Sequence, residues 1–193
     1  VLMSVHAFAE DGYKVSISGG LYGDPSDKEV TVAFNGYFKV DEHQVAVTND
    51  KYYWKGYKIA GHDDYYPVNS NAQIQIKSDT ELVACFGIPG TMVKYYVRYV
   101  DGDGDVIEGT TSDEYLGVAG DKIVLPYKYI EGYIPKALNY SFTVEEGKTY
   151  DFAYVPGEIQ IGENGEIIYV YYDVPGQGGG GAGGGGGVTP TPG

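Results

Sequence analysis

Residues 95–109 read YYVRYVDGDGDVIEG. With the two residues before them, Val93, Tyr95, Val97 and Tyr99 alternate with Lys94, Tyr96, Arg98 and Val100, the two-residue period of a strand with unlike faces. DGDGD then supplies turn residues, and Val106 and Ile107 are expected to resume an apolar strand, so that the stretch closes as a hairpin. The chain before this stretch has the pattern of one β domain. The chain after it completes a second.

The composition bounds the partners. Thirteen basic and 27 acidic residues give the 193-residue chain a formal net charge of -14, which argues against nucleic acid and anionic membrane as partners. Residues 10–90 carry 12 acids against 7 lysines, and residues 91–174 carry 15 acids against 6 bases. Twenty-one tyrosines and 42% hydrophobic residues point to a folded β-rich protein rather than a disordered acidic one. No apolar run approaches the roughly 20 residues that span a bilayer, so no membrane insertion is expected. Cys85 is the only cysteine; it excludes an intrachain disulfide and a cysteine metal cluster, and in the run ELVACF it is expected to be a buried strand residue.

Outward from the hinge toward the N-terminus, short strands alternate with turn residues. Residues 13–17 alternate, and the glycines and Pro25 beyond them break the pattern. Residues 30–34 read as a strand, Asn35-Gly36 as a tight turn, and residues 37–40 as its return. Residues 44–48 alternate again, and residues 50–59 are aromatic-rich around Trp54, the only tryptophan. Ile74 and Ile76 alternate with Gln73 and Gln75 before a closing strand at residues 81–86. Residues 1–9, VLMSVHAFA, end in Ala7-Phe8-Ala9 followed by Glu10-Asp11, the pattern that ends a secretory signal peptide. The mature protein is then expected to begin near Glu10 and to be exported, with the start of the leader missing.

The opening YKVSISGG, the centre Tyr53-Trp54-Lys55-Gly56-Tyr57 and the closing IKSDTELVACF of residues 76–86 resemble the bacterial surface repeats called Listeria–Bacteroides or internalin B-type repeats. The resemblance covers about residues 13–87 and implies a small β-grasp-like domain over residues 10–87. Beyond the short linker GIPG, residues 91–156 look like a mucin-binding-protein (MucBP) module. Residues 96–107 match its opening hairpin, residues 117–122 its central glycine pair, residues 129–133 its aromatic-glycine landmark, and residues 142–156 its closing strands. That resemblance implies a second small β-grasp sheet. The expected fold class is mainly β, or α+β, with two tandem β-grasp-like domains. Residues 157–174 predict an extra hairpin turning at Asn164-Gly165, whose near-continuous apolar return would need a partner surface. Residues 175–193 are almost wholly glycine and end in TPTPG, a flexible tether; with nothing after it, the C-terminus is also expected to be truncated.

Chemistry-bearing patterns are few. Asp101, Asp103 and Asp105 have the D-x-D-x-D spacing of a calcium loop. A calcium-binding helix-loop-helix frame counted from Asp101 would put Val106 where glycine belongs and Ser112 where glutamate belongs, so a hairpin turn is the simpler reading. His43 and His62 have no nucleophile or paired carboxylate at meaningful spacing; His62-Asp63-Asp64 reads as an exposed loop, and no enzyme activity, cofactor or metal is expected. A covalent lysine–asparagine link has candidates such as Lys94, Lys122 and Asn139, but no acid can be assigned beside a pair. Tyrosine is the remaining resource. Tyr52, Tyr53, Trp54 and Tyr57 crowd one region, with Tyr65 and Tyr66 nearby, and Tyr127, Tyr129 and Tyr133 crowd another. Such side chains suit glycan or protein contact, and they equally suit cross-strand packing. Together these features predict an exported surface protein, Gram-positive by the resemblance, acting as an adhesin-like module for host mucin, glycoprotein or another surface polymer. The alternative is a passive stalk with no ligand of its own. Exposed aromatics would favour the first and buried aromatics the second.

Overall fold

The computed structural model describes residues 11–172; the expected signal peptide and the glycine tether lie outside the described residues. Two compact units are present: residues 11–91 together with Lys122–Leu125, and Met92–Asp121 together with residues 126–172. There is no α-helix among the described residues, so the architecture is mainly β and the α+β alternative drops away.

In chain order the first unit contains β1 (Gly12–Ser18), β2 (Gly23–Pro25), β3 (Glu29–Ala33), β4 (Tyr37–Lys39), a 3-10 turn (Val40–Glu42), β5 (Val45–Val47), β6 (Tyr53–Ile59), β7 (Tyr66–Pro67), β8 (Gln73–Gln75) and β9 (Thr80–Gly87). Its main sheet runs β3-β1-β9-β6-β7. The first and last strands, β1 and β9, lie side by side and parallel, while β3 and β6 flank them antiparallel. A central parallel pair of terminal strands is the β-grasp arrangement, here without its usual helix. Val15 and Ile17 of β1 point inward with Leu82 and Ala84 of β9, and Phe38 and Ile74 of the small β4–β8 sheet close the core with Ile76, the residue after β8. Each fully buried aliphatic side chain contributes about 1.5–3 kcal/mol of transfer free energy. Asn35 takes a left-handed φ of 61° at the β3–β4 turn, the conformation that the Asn-Gly pair predicts. In this unit the Tyr65 N–H also donates to the Lys122 carbonyl at 3.1 Å.

The second part of the chain adds β10 (Met92–Val100), β11 (Asp113–Val118), β12 (Lys122–Pro126), β13 (Tyr133–Pro135), β14 (Asn139–Thr143), β15 (Thr149–Ile161) and β16 (Ile167–Tyr171). The sheet order β11-β10-β15-β13 again places the parallel pair β10–β15 at its centre. The two units thus repeat one topology. The expected alternation in β10 holds, with Tyr95, Val97 and Tyr99 buried and Lys94 exposed. The expected hairpin differs. Val106 makes an isolated bridge to Val100 and Ile107 tucks into the core, but the strand that pairs with β10 is β11. A run of two apolar residues between polar turns is too short to sustain a ladder, whereas DEYLGV supplies six partners. β15 is a single strand that runs through the boundary expected at residues 156–157 and pairs with β16 over Gly157–Ile161. Cys85 sits in β9 but is half-buried, because it faces away from Leu82 and Ala84.

Candidate functional site

The first aromatic cluster divides between core and surface through one irregularity. Between Trp54 and Gly56 the β6–β9 register slips by a residue, pairing Trp54 with Phe86 and Gly56 with Cys85. This bulge puts Trp54, Tyr57 and Ile59 on the same inward face although their numbers do not alternate. Gly56 has φ 148°, and a Cβ there would lie 2.0 Å from the Tyr66 carbonyl oxygen. Tyr57 is fully buried, its hydroxyl donating to the His43 carbonyl at 2.9 Å, and burial drives its pKa upward. It cannot touch a ligand, which corrects its place among the candidate contacts. Trp54 is half-buried against the same core and donates its Nε1–H to the Gly56 carbonyl. Tyr53 packs over Gly87. Tyr52 is half-buried and stacks on Tyr22, with ring centroids 3.9 Å apart at 9°.

The second cluster also divides. Tyr127 and Tyr133 are half-buried, while Tyr129 is 65% exposed. Several other aromatics of this unit form an interior array. Tyr140 stacks on Phe152 at 3.9 Å and Phe142 on Tyr150 at 4.0 Å, and Tyr99 meets Tyr154 edge-on at 6.1 Å. A buried phenol must find a partner for its hydroxyl, and these bind backbone. Tyr154 donates to the Lys128 carbonyl and Tyr140 to the Ala153 carbonyl. Burial pushes the Tyr140 pKa up to about 12 and raises those of Tyr95 and Tyr154 as well. Tyr99 donates instead to Asp113 Oδ2 at 2.5 Å, which Lys128 Nζ also reaches at 2.9 Å. Burial favours the neutral acid at Asp113, but the bonds from Tyr99 and Lys128 outweigh it and hold the carboxyl below its usual range.

At the acidic turn, Asp101 Oδ1 accepts the N–H groups of Asp103 and Asp105, each at 3.0 Å, and the Asp101 N–H donates to the Asp105 carbonyl. The carboxylate thereby closes the turn on itself. Among the described residues, no group of three or more His, Cys, Asp or Glu is placed to hold a metal ion. His62 lies 3.8 Å from Asp64 in an exposed loop, and half-buried His43 meets Asp27 at 2.9 Å. No helix among these residues is long and apolar enough to cross a membrane.

A concentration of exposed apolar side chains among the described residues lies outside the candidate contacts. On the β15–β16 hairpin, Ile161 is 69% exposed, and Ile167, Ile168, Tyr171 and Tyr172 are also open to solvent. The register pairs Ile161 with Ile167 and Ile159 with Tyr169, so one hairpin face carries an apolar strip of Ile159, Ile161, Ile167, Tyr169 and Tyr171, while Ile168 and Tyr172 lie on the opposite face beside Gln160 and Glu158. The sequence signal was the uncharged run IIYVYY, whose return strand needed a surface to pack on. Around it stand Glu158, Glu163 and Glu166, and residues 149–172 contain no lysine, arginine or histidine.

No family model and no curated relative matches the chain. Among solved structures it is similar to one described as "Crystal structure of Mub-RV", with 11% identity, 76% of this chain and 98% of that chain covered, and a TM-score of 0.21. The fold assignment rests on strand order alone.

Proposed function

We propose that this chain is a non-catalytic binding module of an exported bacterial surface protein, adhesin-like in its action, which contacts a glycoprotein or another surface polymer. The observation that carries the reading is the face of the β15–β16 hairpin on which Ile161, Ile167 and Tyr171 are left exposed. Exposed apolar patches of this kind mark contact surfaces in soluble proteins. The occupant is an extended polypeptide segment of the partner, laid along the hairpin as an added strand. Its acidic surround favours a segment that is neutral or basic, and a second copy of this chain would bring like charges together. The repeat-like and MucBP-like patterns, and the signal-like residues 1–9, support placement outside the cell.

The stalk remains the second reading, because of the aromatic side chains that suggested binding Tyr57 is fully buried and only Tyr129 is exposed, while other large aromatics, Tyr95, Tyr99 and Tyr154, serve the second core. The test compares the full chain and its Ile167→Lys variant on an array of mucins, deglycosylated mucins and glycans. The module reading expects binding that survives deglycosylation and weakens at least about tenfold in the variant, as truncation of a contact anchor does. Absence of binding across the array, or binding indifferent to Ile167→Lys, would leave the stalk.

A further inference from the structure

The first unit holds a cleft of about 340 Å³ lined by Tyr13, Phe34, Asn35, Gln75, Ile76 and Lys77. We propose that this cleft takes one acidic sugar unit of a glycan chain, as a contact separate from the hairpin. Its volume falls at the small end of the range for small-molecule sites. Its construction depends on the Asn35-Gly36 turn. The Gly36 N–H closes the turn on the Ala33 carbonyl at 2.8 Å, and the Gly36 carbonyl accepts the Ile76 N–H at 3.2 Å. That second bond ties the β3–β4 turn to the end of β8, so aromatics from β1 and the turn stand beside polar side chains from β8 and the residues after it.

One wall is aromatic: Tyr13 and Phe34 meet edge-on, with centroids 4.9 Å apart at 79°. Phe34 is 53% exposed although an apolar core lies close by. Ile76, 1% exposed, forms the floor. The rim is polar. Among the described residues, the side-chain amides of Asn35 and Gln75 make no hydrogen bond, and Lys77 joins no ion pair. Lys77 is a cation in a segment where acids outnumber lysines.

The three kinds of group select a ligand together. An aromatic wall packs on the C–H face of a pyranose ring, which is apolar over a small area. Two amides offer paired donors and acceptors, the match for neighbouring hydroxyls. A single ammonium meets a carboxylate, and its contribution at an exposed position is small. A purely apolar ligand would leave the amides without partners, and a polyanion would find one cation in an acidic surround. A carboxylate-bearing sugar uses every group.

The test titrates the isotope-labelled full chain with 3′-sialyllactose, and in parallel with lactose, following the Asn35 and Gln75 side-chain amide signals by NMR. Binding should shift both amides. Phe34→Ala should weaken both sugars by about twofold to tenfold, the worth of one aromatic contact. Lys77→Gln, which leaves the aromatic wall intact, should weaken 3′-sialyllactose about threefold and leave lactose unchanged. Shifts confined to other residues, no shifts at all, or Phe34→Ala binding as the parent does would each overturn the proposal. Ile167→Lys should not alter this titration, so failure of the hairpin reading and failure of the cleft are told apart.

Discussion

Replacing Tyr99 with phenylalanine isolates one hydroxyl. Tyr99 is 2% exposed, and its ring contacts with Phe152 at 6.2 Å and Tyr154 at 6.1 Å survive the change. The change removes the 2.5 Å bond to Asp113 Oδ2, leaving that carboxylate with Lys128. A hydrogen bond to a charged acceptor contributes about 1.5–3 kcal/mol. Asp113 keeps 32% of its side chain exposed, so water replaces part of the bond and the expected loss is about 1–2 kcal/mol. For a domain of this size, that lowers Tm by roughly 4–16 °C. The sign with pH is set by Asp113, whose carboxyl is held below its ordinary value. A depressed carboxylate stabilises the fold above about pH 4 and loses that contribution as pH falls through the folded-state value. Urea unfolding by far-UV circular dichroism, on parent and Tyr99→Phe at pH 7 and pH 3, should show the gap at neutral pH shrinking in acid. A gap under about 0.5 kcal/mol at pH 7, or one of equal size at both pH values, would refute the reasoning.

Three further outcomes are expected. Gly56→Ala should cost well over about 1 kcal/mol in denaturant unfolding, because φ is 148° and the added Cβ would strike the Tyr66 carbonyl; a neutral result would mean that the bulge relaxes freely. Asp41 accepts the N–H groups of Asn69 at 2.7 Å and Asn71 at 3.2 Å, both residues being left-handed, so Asp41→Ala should lose about 1–3 kcal/mol and speed amide exchange in residues 69–71. Burial raises the pKa of Tyr57, Tyr95, Tyr99 and Tyr154 in the fold. Their stabilisation is complete below the unfolded value near 10 and is lost as pH climbs toward the folded values, so Tm measured from pH 8 to 12 should hold flat and then fall beyond about pH 10.

Much of the strand pattern was legible because single side chains declare it. Asn35-Gly36 marked a turn, Ile74 and Ile76 declared an inward face, and the alternation from Val93 to Val100 gave β10 its orientation. Other features were hidden by their nature. Nothing local in DGDGDVIEG tells that β10 will pair with β11 across a longer connection, since ladder length and not turn chemistry decides it. Tyr57 could not be placed from composition, because the bulge at Gly56 changes parity and turns Trp54 and Tyr57 to one side. In the candidate sites, the apolar run of residues 167–172 was visible, yet its exposure was not, because exposure depends on what covers the hairpin. The cleft at Phe34 joins Tyr13 to Gln75 and Lys77, over 60 residues apart in sequence, a proximity that the pairings of β1 with β9 and of β4 with β8 create.

The central parallel pairs also set how the modules respond to force. In β1–β9 the register runs from Val15–Thr80 to Ser18–Val83, and in β10–β15 from Tyr96–Thr149 to Val100–Ala153. Parallel neighbours that begin and end a unit are drawn in opposite directions along their shared axis when the chain is stretched. Their hydrogen bonds then carry the load together, in shear, rather than opening one after another like a zipper. The first unit, whose main sheet begins in β1 and ends in β9, is therefore clamped against extension by the same strand pair that defines its topology.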